Sequence, residues 1–298
     1  MNARGFCAAM GLVVLMAIAA SASSYGQDSP GTEERMELIF PIVHSQFVDE
    51  PVSLQTTLTF GNLSNSTVRA TITTFGDDGT QARVLDLCTL GPAGDPSLEV
   101  DLEIPSHGER DSFTTTTQEG ELPDFAGWAR VLLSPNVRIR GSSEIRLQTQ
   151  PEGCVSAGGV STASAGTLED VSNPDPYLKA VRVPGVRPAR EFWVLSRDGF
   201  FRRTALAIVN PSESETAQVL IEVLNQRGEV TDTTDVSVAP MNRIAKYAGE
   251  LFGRPPFIHG WIRFTSPIPI AVGGIEDVQR GDPWVSIVVV PVDAPASD

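Results

Sequence analysis

The stretch "TALAIVNPSESETAQVLIEVLNQRG", Thr204 to Gly228, decides the fold. It holds two short runs rich in Val, Ile and Leu, apolar at alternate positions, bounded by "NPSES" and "NQRG". That pattern predicts strand, turn and strand, and Pro211 with the glycines breaks any helix across them. A looser copy, "TTLTFGNLSNSTVRATITTFGDDG", runs from Thr56 to Gly79. Sliding one along the other puts Leu58 on Leu206, Phe60 on Ile208, Asn62 on Asn210 and Ser64 on Ser212. After one inserted residue, Ala70 falls on Val219, Ile72 on Ile221 and Gly79 on Gly228.

A second pair of blocks follows in the same order. "GWARVLLSP" from Gly127 matches "GWIRFTSP" from Gly260, placing Trp128 on Trp261 and Arg130 on Arg263. Arg110 precedes Trp128 by the same 18 residues that separate Arg243 from Trp261, which sets Arg110 on Arg243. Ordered blocks at similar spacing predict an internal duplication. The expected architecture is all-β: two tandem antiparallel β-sandwich (Ig-like) domains of roughly seven strands each, with one short helix in the second. That helix is expected in "RIAKYAGELFG", where Ile244, Tyr247, Ala248 and Leu251 recur at helical spacing before Gly253. Leu58, Phe60, Leu206 and Ile208 should face inward, with Trp128 and Trp261 in equivalent core positions. Each copy should then be its own sandwich, and residues 180–298 should fold alone.

The organisation along the chain follows. Arg4, the apolar run from Gly11 to Ala20 and the small residues Ala20-Ser21-Ala22 read as a Sec signal peptide over 1–22. A flexible segment is expected over 23–37, the first repeat over 38–150, a Gly/Ser/Ala/Pro-rich linker over 151–179 and the second repeat over 180–298. Part of the linker is a candidate for the last strand of the first repeat, so that boundary stays open. The chain is therefore expected to be secreted or periplasmic, or held at the cell surface, with no membrane insertion after signal cleavage.

The formal charge is −15 over 298 residues, and loss of Arg4 with the signal makes it −16. Such a surface repels nucleic acid. Two cysteines remain after the signal, Cys88 and Cys154. In an exported chain an even pair reads as a disulfide, here closing a loop of about 66 residues and contributing about 4 kcal/mol. An intact mass two hydrogens lower without reductant than with it is the check.

At this point the residues carry a resemblance. "FRRTALAIVNPSESETAQVLIEVLNQRGEV", then "APMNRIAKYAGELF" and "GWIRFTSPIPIAVGGI", resemble the tandem β-sandwich repeat modules of secreted bacterial proteins. The first copy departs from that pattern by Leu63 in the place of Pro211, by an insertion within "LDLCTLGPAGDPSLEV" and by lacking the helix. The resemblance implies an extracellular or periplasmic scaffold and leaves the ligand open.

Motifs for chemistry are sparse. "GDDGTQ" offers Asp77 and Asp78 as a weak calcium candidate, but Asp-Gly between strands is also what a tight hairpin demands. His44, His107 and His259 are scattered, without a second ligand at metal spacing. There is no Gly-x-Ser-x-Gly elbow, Ser-x-x-Lys or His-Glu-x-x-His, so no catalytic or cofactor-binding residue is assigned and no enzyme is expected. Partner contacts are instead expected among Phe192, Trp193, Phe200, Phe201, Arg202 and Arg203, where aromatics and arginines cluster. The expected function is a non-catalytic structural or interaction module whose partner is a protein or a glycan. The alternative is a carbohydrate-binding or carbohydrate-active accessory protein.

Overall fold

A computed structural model describes residues 35–49, 52–82, 98–113, 125–148, 177–199, 201–253, 259–278 and 284–292. The chain is all-β, with antiparallel sheets and one short helix. In the first half the strands are β1 (Met36–Asp49), β2 (Val52–Asn62), β3 (Val68–Gly76), β4 (Gln81–Ala82), β5 (Glu99–Ile104), β6 (Glu109–Phe113), β7 (Phe125–Leu133), β8 (Ile139–Gln148) and β9 (Tyr177–Pro184). In the second they are β10 (Ala189–Arg197), β11 (Arg202–Val209), β12 (Ala217–Leu224), β13 (Val230–Val238), β14 (Arg243–Tyr247), β15 (His259–Val278), β16 (Val285–Ser286) and β17 (Val289–Pro291). The helix, α1, covers Ala248–Leu251.

Alternation decides which side chains turn inward. In the first half β3 lies between β5 and β7, β7 between β3 and β1, and β2 between β6 and β8. Leu38, Phe40, Leu58, Phe60, Ala70, Ile72, Val131 and Leu133 are buried together, with the Phe40 and Phe60 rings edge to face at 5.5 Å. In the second half β12 lies between β13 and β15, β15 between β12 and β10, and β11 between β14 and the latter part of β15. Phe192, Val194, Leu206, Ile208, Val219, Ile221, Ile262 and Phe264 are buried there. "GWIRFTS" and "PIAVGGIEDV", readable as two strands, run as the single 20-residue β15.

The hairpins repeat in detail. Gly76 N–H donates to Thr80 O at 2.9 Å and Gly79 N–H to Gly76 O at 3.1 Å; Asn225 N–H donates to Glu229 O and Gly228 N–H to Asn225 O, both at 3.0 Å. Gly79 and Gly228 both sit at φ +78°, where a Cβ is strained. Asn62 Nδ2 donates to the carbonyls of Ser66, Ile104 and Pro105, and Asn210 Nδ2 to those of Glu215, Val238 and Ala239. Each asparagine thus ties its own hairpin to the strand that pairs beyond it.

Three expectations need correction. The helix is shorter than its spacing suggests: Arg243–Tyr247 pairs with β11 as a strand, because β11 offers a free ladder that outweighs a weak local preference. Gly61 pairs with Glu109, and Val209 with Arg243, so Glu109, not Arg110, holds the register position of Arg243. The equal spacing of 18 residues was a coincidence of unequal loops. Trp261 is only partly buried whereas Trp128 is fully buried, although Trp128 pairs with Phe75 as Trp261 pairs with Leu224. Strand parity turns both indoles away from their own inner faces, since Ala129 and Val131 in β7, and Ile262 and Phe264 in β15, point inward. Trp128 is covered by the second half; Trp261 is not.

Arg35 to Asp298 belongs to one compact unit. β9 pairs along β8, and Val186 bridges to Ile39 in β1. Ile39, Phe75 and Trp128 pack in one cluster with the second half's core, and Ile42, Ile145, Val181 and Val183 pack with Ala207 of β11. A Cβ on Gly273 would meet Pro41 at 3.0 Å, so β15 and β1 approach as closely as glycine permits.

Candidate functional site

Two places gather functional side chains: the seam between the halves and the outer face of β17, β10, β15 and β12. At the seam, the turn between β13 and β14 lies over the β3–β4 turn and the start of β7. Arg243 has 1% of its side chain exposed. Its Nε donates to Asp77 Oδ1 at 2.5 Å, and its Nη1 to Pro41 O at 3.2 Å and to Gly127 O. Its backbone N–H donates to Asp77 O at 3.0 Å, and Trp128 Nε1 donates to Met241 O at 3.2 Å. Phe75 stacks on Trp128 at 4.5 Å. A buried guanidinium survives here because a carboxylate and two carbonyls replace its water.

His44 stands beside this cation. Burial and, next, the Arg243 guanidinium push its imidazole down to about 4, with Asp77 opposing them in part. Its backbone N–H and C=O both bond Thr56 Oγ1 at 2.8 Å, and Nδ1 has no hydrogen-bond partner among the described residues. Asp77 is thereby engaged in an ion pair, while Asp78 Oδ1 accepts from the backbone N–H and the hydroxyl of Thr80 and closes the turn. No group of three His, Cys, Asp or Glu among the described residues is arranged to hold a metal ion.

On the outer face, Trp193 pairs in register with Arg263 on one side and Val290 on the other, and Trp261 pairs with Leu195 and Leu224. The two indoles meet edge to face at 6.3 Å. Trp193 Nε1 donates to Glu191 Oε1 at 2.6 Å, and the Arg263 guanidinium lies 5.6 Å from the Trp193 ring centroid. Glu222 fixes Arg263, with its Oε2 2.8 Å from Nε and 2.6 Å from Nη2. Beside them Val288, Val290 and Val292 are 56%, 42% and 49% exposed. The result is a rigid aromatic corner with an apolar flank and a polar, charge-paired flank.

Of the six residues expected to contact a partner, the five that are described are dispersed. Phe192 is fully buried on the inner face, so it meets no partner; strand alternation separates it from Trp193, which is half-buried on the outer face. Arg202 and Arg203, just after Phe201, open β11, which pairs with β14 and the end of β15 rather than with β10. Phe201 is exposed, Arg202 Nη1 lies 3.1 Å from the buried Glu276, and Arg203 stacks 3.6 Å above Tyr247. Phe200, Cys88 and Cys154 lie outside the described residues. Sequence reading missed Trp261, Arg263 and Val290 as companions of Trp193, and Arg243 as a buried cation. The signal for the first group was the even spacing of outward positions; for Arg243 there was none, since Asp77 lies 166 residues away.

Comparison of the chain with protein-family models, with curated proteins and with solved structures finds no match in any of the three. Among the described residues no helix is long and apolar enough to cross a membrane.

Proposed function

We propose that this chain is an exported, non-catalytic interaction module built by internal duplication as two Ig-like β-sandwiches, with Cys88 and Cys154 joined. The outer face around Trp193 and Trp261 is its contact surface. The observation that carries this reading is the open apolar flank of Val288, Val290 and Val292 beside two half-buried indoles. A secreted monomer gains nothing by leaving such a group in water, whereas a binding face needs it. The duplication is supported by the paired roles of Asn62 and Asn210 and by the identical turns at Gly79 and Gly228.

A carbohydrate-binding role is the second reading, favoured by the perpendicular indoles flanked by Glu191 and Arg263, which offer a stacking corner with hydrogen-bonding groups beside it. A glycan array and a pull-down with the mature chain separate the two. A stable protein partner lost in Trp193→Ala and no glycan bound is the expected outcome. Saturable glycan binding abolished by Trp193→Ala would replace it with the second reading, and binding of either kind unchanged in Trp193→Ala would remove the face from the account.

A further inference from the structure

We infer that the open face of the second half docks the first half of a second copy of this chain, repeating head to tail the contact that the two halves make within one chain. This rests on the duplicated reading proposed above, and it names the partner. Register gives the equivalence: Trp193 stands where Ile39 does, Trp261 where Trp128 does, Leu224 where Phe75 does and Val290 where Val186 does. The first-half set, Ile39, Phe75, Trp128 and Val186, is buried against the second half. In the second-half set Leu224 is buried, but Trp193 and Trp261 are only half-buried and Val290 is 42% exposed. Trp128 gives its indole N–H to the Met241 carbonyl, while the Trp261 N–H has no acceptor among the described residues.

What covers Trp128 is the turn between β13 and β14, with Met241 at φ +59°. Its register counterpart is the turn between β5 and β6, with His107 at φ +53°, and that turn is exposed. A second copy can therefore bring the same kind of turn to the same kind of face. Charge selects it. Within the chain the turn supplies a cation, Arg243, and the face an anion, Asp77. At the open positions the charges differ: the turn carries Glu109 in the place of Arg243, and the face carries the neutral Gln226 in the place of Asp77, with Arg227 beside it in the place of Asp78. Glu109 and Arg227 are both exposed. A turn bearing Glu109 would be repelled from Asp77 and Asp78, whereas on the open face it meets a neutral Gln226 with the Arg227 cation next to it, which favours the open face. Such a contact is heterologous and propagates rather than closing as an isologous dimer.

The test is sedimentation velocity of the mature chain from about 1 μM to about 1 mM. Mass should grow with concentration through a series of oligomers, less so at high salt. Glu109→Arg and Arg227→Glu should each weaken association by about tenfold, the double exchange should restore it to within about threefold, and Val290→Asp should abolish it. All three positions are exposed, so folding is spared, and unchanged circular dichroism verifies it. A chain monomeric throughout overturns the inference, as does association indifferent to both charge reversals. A monomer that binds a glycan or another protein through Trp193 likewise overturns it while leaving the interaction-module reading in place.

Discussion

Arg243 is the residue on which the seam between the halves turns. Its guanidinium has exchanged water for Asp77 and the carbonyls of Pro41 and Gly127, all from the first half. Removing it would strand those carbonyls, each worth roughly 1–3 kcal/mol when buried without a donor. His44 makes the same site sensitive to acid. Its imidazole titrates at about 4 in the folded chain against an ordinary 6.5, so between those values the unfolded chain takes a proton that the folded chain refuses. Stability contributed by neutral His44 is complete above about pH 6.5 and is lost as pH falls toward 4. Burial raises Glu37 and Asp198, which act in the opposite sense, so the informative quantity is a difference. His44→Asn should lose stability less steeply than the parent between pH 6.5 and 4, as followed by urea midpoints; parallel slopes would show that His44 does not titrate with folding. None of this was legible in the sequence, where His44, Asp77 and Arg243 are far apart, Asp77 reads as a calcium or hairpin residue and Arg243 only as a marker of the repeat.

Turns were the most legible elements, because their chemistry is local. Asp-Asp-Gly and Gln-Arg-Gly between alternating apolar runs announce a residue at positive φ, and Gly79 and Gly228 take it. Their surroundings differ in a way no local pattern carries. A Cβ on Gly228 would meet nothing within 4 Å, whereas one on Gly79 would lie 2.7 Å from the Asn242 amide and 3.0 Å from Met241 O across the seam. Gly228→Ala should then cost about 1 kcal/mol for its φ alone, and Gly79→Ala about 2–3 kcal/mol, measured by denaturant unfolding. Equal costs would mean that the seam yields freely. The short helix was legible and its start was not, for the complementary reason: Ile244, Tyr247 and Ala248 fit a helical face, but β11 pairs with Arg243–Tyr247, and a non-local ladder is invisible to spacing. The Arg110 alignment failed likewise, since register is set by the β2–β6 ladder and not by the distance to Trp128.

At the scale of the molecule, the all-β class and the inward positions of Leu58, Phe60, Leu206 and Ile208 followed from alternation, and all four are buried. The association of the halves did not follow. Trp128 was expected in the core of the first half, yet parity puts it, with Ile39 and Phe75, on the outer face of that half, where the second half's core covers all three. Residues 180–298 in isolation would lack β1, the Asp77 carboxylate and the Ile42 and Ile145 side chains that pack with Ala207, with Arg243 left without its acceptors, so the fragment should fall well short of the stability of the whole. The central claim is that the halves unfold as one. Scanning calorimetry of residues 23–298 tests it most directly, with Trp128→Ala alongside. A single transition is expected, its calorimetric and van't Hoff enthalpies in agreement, shifted as a unit by a loss of about 3–5 kcal/mol in Trp128→Ala. Two resolved transitions, of which Trp128→Ala moves only one, would contradict it.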